Sequence, residues 1–178
     1  MKKRIFAIAL ALSMSLGTVS AYAQTTTQTS VPMSQYATAL GVLYNENYAY
    51  MIRTYSSDLT SFINATPVFD EYVTQEQIKT HITLVNAQIS NLESVNDLIT
   101  LKHVEPFYTI QPEINKMITA GKTYIDGCNK IYNRNPQGYY LISSSVSDIY
   151  DAEIKLSAHC DSIHESSMLY LSKAFPSY

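Results

Sequence analysis

Residues 74–104 read TQEQIKTHITLVNAQISNLESVNDLITLKHV, and this stretch decides the fold class. Ile78, Val85, Ile89, Leu92, Asn96 and Ile99 recur at three, four and seven residue intervals. That period places them on one face of an α-helix. Thr74 with Gln77 three residues later forms a capping box, in which two backbone donors at the helix start are satisfied reciprocally. The helix should stop near Val104, because Glu105 precedes Pro106 and a residue before proline is pushed out of helical conformation.

The same reasoning extends in both directions. Upstream, Tyr36, Leu40, Leu43, Tyr44, Met51, Tyr55 and Phe62 recur at helical spacing, predicting a helix over residues 35–64 with Ser34 as N-cap. Pro67 terminates it. Downstream, Pro112 suits a first-turn position, where its missing N–H costs nothing. Ile114, Met117, Ile118, Gly121, Ile125, Cys128 and Tyr132 form the stripe of that third helix. Residues 133–138, NRNPQG, are a strong stop. The short apolar segment 139–142, YYLI, has no form fixed by its pattern, an extended strap across the bundle end being one reading. Ser145 with Asp148 then reads as a second capping box. It would open a fourth helix to about Phe175, with Ile149, Ala152, Leu156, Cys160, Ile163, Ser167, Tyr170, Leu171 and Ala174 on its face. Four amphipathic helices and scarce glycine predict an all-α protein, a single-domain up-down-up-down four-helix bundle over residues 34–178.

The first 33 residues are of another kind. Lys2, Lys3 and Arg4 precede an apolar run over residues 5–16, and Ala21, Tyr22 and Ala23 form a small-x-small cleavage site. That order predicts a bacterial-type secretory signal peptide over residues 1–23, with the mature chain beginning at Gln24. Residues 24–33, rich in Thr and Gln, are expected to be a disordered leader. The expected location is therefore periplasmic or secreted. After cleavage no integral membrane span is expected. The mature chain would hold nine basic against fifteen acidic residues, a net charge of −6. Such a surface argues against nucleic acid as a partner.

Cys128 and Cys160 are the two cysteines, each centred on its helix's apolar stripe. In an oxidising compartment they are expected to form an intramolecular disulfide, worth roughly 3.5 kcal/mol for a loop of about 32 residues. The expectation carries a condition. With helix four starting at Ser145, Cys128 lies about 8 Å from the end of helix three and Cys160 about 22 Å into helix four. A tight hairpin would leave them some 15 Å apart. The linker must therefore spend length to align them. Two buried thiols or an intermolecular bond are the alternatives.

Catalytic arrangements are not found. The sequence holds no G-x-S-x-G, no HExxH, no CxxCH and no phosphate loop. Cys160, His164 and Met168 share a helix side and would suit copper, but a disulfide would consume the thiolate. No cofactor, metal or catalytic residue is expected. The leading expectation is a non-enzymatic bundle protein that binds another protein or cell-surface component through a face rich in Tyr, Ser and Thr. Its alternative is a carrier of a small ligand or of haem or metal, using the bundle interior. Asn47, Thr54, Asp58 and His103 are the candidate lining residues, with Asp58 and His103 the pair of interest.

Overall fold

In the computed structural model, residues 32–65 and 73–175 are described. The expected signal peptide, most of the expected leader and Pro67 lie outside them. The chain divides into two compact units, Met1–Thr38 and Ala39–Tyr178. In the first, Met33 to Thr38 form the opening turns of helix α1 (Met33–Ala65). The Pro32 carbonyl accepts the Gln35 amide at 2.9 Å, the role of a capping carbonyl. Ser34 is thus inside the helix rather than at its cap, and its own carbonyl accepts Thr38 Oγ1.

The second unit is an all-α four-helix bundle. The remainder of α1 packs with α2 (Gln75–Leu101), α3 (Gln111–Tyr132) and α4 (Gln137–Ala174). Side-chain pairs fix the topology. Arg53 meets Asp161 and Glu46 meets His164, so α1 and α4 are antiparallel. Lys122 meets Glu93, and Asn96 bonds Asn115, so α2 and α3 are antiparallel. Lys155 meets Glu113, and Lys116 meets Asp148, which makes α3 and α4 antiparallel as well. Such exposed pairs contribute little stability each, but all agree on one register. Among the described residues, no helix is long and apolar enough to cross a membrane.

Helix α2 begins as its sequence dictates. Thr74 Oγ1 accepts the Gln77 amide, and the Gln77 side chain accepts the Thr74 amide. Ile78, Val85, Ile89, Leu92 and Ile99 are buried, and Asn96 lies half-buried at their edge. The helix stops at Leu101, short of Val104. His103 takes a positive φ of 51°, and the Val104 amide bonds the Ile99 carbonyl. That is a Schellman ending with histidine where glycine is usual. Pro106 then sits in a 3-10 turn, Glu105–Phe107, that leads to α3. Helix α3 ends in the same way, with Arg134 at φ 60° and the Asn135 amide bonded to the Lys130 carbonyl.

Helix α4 departs from expectation. It starts at Gln137, so residues 139–142 are helical rather than an extended strap. Asn135 Oδ1 accepts the Gln137 amide and starts the helix there. Gly138 then lies against Gly127 of α3. A Cβ on Gly138 would fall 2.4 Å from the Gly127 carbonyl oxygen. Two glycines thus let the backbones of α3 and α4 meet at the turn. Ser145 is no cap. It is buried within the helix, and its hydroxyl donates to the Ile142 carbonyl.

The α1 face also differs from the sequence reading. The buried positions are Ala39, Tyr48, Ala49, Ile52, Ser56, Leu59, Thr60 and Ile63. Met51, Tyr55 and Phe62 pack at the flank of the core, while Leu40, Leu43 and Tyr44 are exposed. Small polar residues can line the core because their hydroxyls bond the helix's own backbone. Ser56 Oγ donates to the Arg53 carbonyl and Thr60 Oγ1 to the Ser56 carbonyl.

Candidate functional site

Three rings mark where the four-helix core ends. Tyr48 of α1 and Phe107 have ring centroids 5.9 Å apart, and Phe107 meets His159 of α4 edge-on at 5.8 Å. His159 Nε2 donates to the Pro106 carbonyl. At this level the connection from α2 to α3 closes the core. Helices α1 and α4 continue past it. Residues 39–47 extend α1 by about 13 Å, and residues 160–174 extend α4 by about 22 Å. The two extensions are joined by the Glu46–His164 contact at 2.8 Å, with Cys160 buried at the base.

On this extension α1 carries two faces. The side continuous with the core presents Gly41 and Asn45. Leu40, Leu43 and Tyr44 occupy a neighbouring stripe at i, i+3 and i+4, exposed by 42, 46 and 56%. Residues 33–45 contain no charged side chain. Isolated exposed apolar residues are ordinary, but a contiguous stripe on a helical segment without charge is the usual form of a contact surface. The stripe was legible in the sequence as a periodic pattern, but it reads there as core.

A second constellation is wholly internal. His81 is 2% exposed, and its Nε2 lies 2.8 Å from the Tyr124 hydroxyl. Cys128, also buried, stands one turn farther along α3 from the tyrosine. Burial lowers the His81 pKa from its ordinary value and raises that of Tyr124 far above its own. His81 Nδ1 has no partner, an uncompensated cost of about 1–3 kcal/mol for a buried polar atom. Neither His81 nor Tyr124 was singled out from sequence. The signal was present, since His81 falls three residues after Ile78 and four before Val85 on the α2 stripe.

The expected disulfide is not formed. Cys128 and Cys160 are both free and buried. The contact between Gly127 and Gly138 sets Cys128 level with the first turn of α4. Cys160 lies about 20 residues farther along, so the thiols are separated by about 30 Å along the bundle. The linker spends no length, because α4 begins immediately after the turn. Burial pushes the Cys128 thiol up to about 12 and the Cys160 thiol up to about 11.

The four candidate lining residues do not converge. Asn47 and His103 are exposed, while Thr54 and Asp58 are half-buried. His103 Nδ1 bonds the Tyr108 hydroxyl at 3.0 Å and serves the helix ending. It lies near the level of Tyr48, ten residues from Asp58, which separates the pair by about 15 Å along the axis. None of the four lines the shallow groove between α3 and α4, which is built by Asn115, Lys116, Thr119, Thr123, Ser144 and Asp148. Asn96 does belong to a polar network. Gln111 Nε2 donates to Asn96 Oδ1 and to Thr100 Oγ1, tying the end of α2 to the start of α3. Among the described residues, no three His, Cys, Asp or Glu side chains come together as a metal site. The chain matches no family model, no curated protein and no solved structure.

Proposed function

We propose that this chain is a non-enzymatic, extracytoplasmic helical-bundle protein that acts by binding another protein through the outward face of α1. The observation that carries this reading is the exposed Leu40, Leu43 and Tyr44 stripe on a segment of α1, residues 33–45, that holds no charged side chain. The histidines support it, since each has a structural partner. His81 is engaged with Tyr124, His103 with Tyr108, His159 with the Pro106 carbonyl and His164 with Glu46. The compartment rests on residues 1–23, with their basic start, apolar run and Ala21-Tyr22-Ala23 site.

A paired substitution, Leu40→Glu with Leu43→Glu, tests the binding role. Both positions are exposed, so the melting temperature should hold. Chemical cross-links formed by the wild-type protein in intact cells should be lost. An unchanged cross-link pattern would overturn the reading. Sequencing the N-terminus of the envelope protein tests the compartment: it should begin at Gln24, and an intact Met1 in the bulk of the protein would refute it.

A further inference from the structure

Glycine within a helix is destabilising relative to alanine, so each helical glycine asks for a reason. Three of the described glycines have one inside the molecule. A Cβ at Gly121 would fall 2.8 Å from the Ile89 side chain. At Gly127 it would fall 2.9 Å from the Gly138 carbonyl oxygen, and at Gly138 it would fall 2.4 Å from the Gly127 carbonyl oxygen. Gly41 is different: a Cβ there would meet nothing within 4 Å among the described residues. It lies on the extension of α1, on the side that lower down faces α2 and α3, beyond the point where those helices end. Leu40 and Tyr44 stand beside it, both exposed.

We infer that α1 packs against α1 of a second copy of this chain, crossing at Gly41. The inference rests on the binding role given above to this face of α1 and names the occupant. An approaching backbone supplies the reason for Gly41 that the single chain lacks. Leu40 and Tyr44 flank the crossing and become covered. A two-fold interface lays a surface against itself, so any net charge in it faces the same charge across the axis. The chain as a whole is acidic, yet residues 33–45 carry no charge. The first charged residue after them, Glu46, is engaged by His164. A different partner could have balanced charges of its own; a copy could not. That restriction is met here.

Sedimentation of the purified protein at about 100 µM, where a micromolar association is nearly saturated, provides the test. The wild type should sediment at twice the chain mass. Gly41→Leu should sediment as a monomer with undiminished helicity and melting temperature, since leucine favours helix and the position is open. If Gly41→Leu fails to fold, Leu40→Glu, which sets like charges across the axis, should give the folded monomer. A wild type that sediments as a monomer overturns the inference. If it does so while its cross-links in cells still vanish with Leu40→Glu and Leu43→Glu, the binding role stands with a different partner. If those cross-links also persist, both readings fall. A Gly41→Leu protein that remains dimeric, or associates more strongly, rejects the crossing at Gly41.

Discussion

His81 and Tyr124 meet in a buried polar contact, with the buried thiol of Cys128 one turn farther along α3. The thiol is held neutral by burial, and so is the imidazole. Each has a testable consequence. Both thiols should ignore a water-soluble thiol reagent at neutral pH, because they are covered and their pKa values are raised to about 12 and about 11. After denaturation two thiols per chain should react, and reductant should leave the melting temperature unchanged. A non-reducing mass showing a Cys128–Cys160 bond would contradict the placement. For His81 the pKa is lowered in the folded state from 6.5. The unfolded chain therefore binds the proton first on acidification. The stability associated with neutral His81 is complete above about pH 6.5 and declines as pH falls through and below it. In His81→Gln, which can still bond the Tyr124 hydroxyl but does not titrate, the fall in melting temperature between pH 7.5 and 5 should be smaller than in the wild type. An equal fall would remove His81 as its cause.

At the scale of the helices, identical substitutions should have opposite signs. Gly138→Ala forces a Cβ against the Gly127 carbonyl and should cost about 1–3 kcal/mol, because backbone must shift. Gly41→Ala meets no neighbour and should stabilise the isolated chain by up to about 1 kcal/mol. Thermal melting of both variants, at a concentration where only monomer is present, checks the pair. A rise for Gly138→Ala would mean that α3 and α4 do not approach as closely as described. The helices differ in how fully they could be read from their residues. Helix α2 has one apolar face and a capping box, and both are found in place. Helix α1 has two periodic faces. One is exposed at Leu40, Leu43 and Tyr44 and packs at the flank of the core through Met51, Tyr55 and Phe62, while the other lines the core with Ser56 and Thr60 among Ile52, Leu59 and Ile63. Periodicity cannot rank these faces, because the hydroxyls of the buried one are satisfied locally. The start of α4 was misread for a related reason. Ser145 and Asp148 have the spacing of a capping box, but the helix has already begun at Gln137, eight residues earlier, where Asn135 Oδ1 accepts the first amide.

For the molecule as a whole, class and connectivity follow from helix count and proline placement. Axial offset does not. Periodicity gives a face but no height, so nothing in the sequence tells that α1 and α4 outrun α2 and α3, nor that Cys128 and Cys160 lie far apart. Those facts depend on the two Schellman turns and the Gly127–Gly138 contact, which set the register of neighbouring helices. The candidate site was legible only in part. The apolar stripe of α1 stands out in the sequence, but its exposure follows from that same offset. The central claim is that this exposed stripe is where the protein binds. A photoreactive amino acid placed at Leu43, and separately at Ile154 as an even more exposed apolar position on α4, tests it in intact cells. The account predicts a discrete protein adduct from Leu43 and none from Ile154. No adduct from Leu43, or the same adduct from both positions, would contradict it.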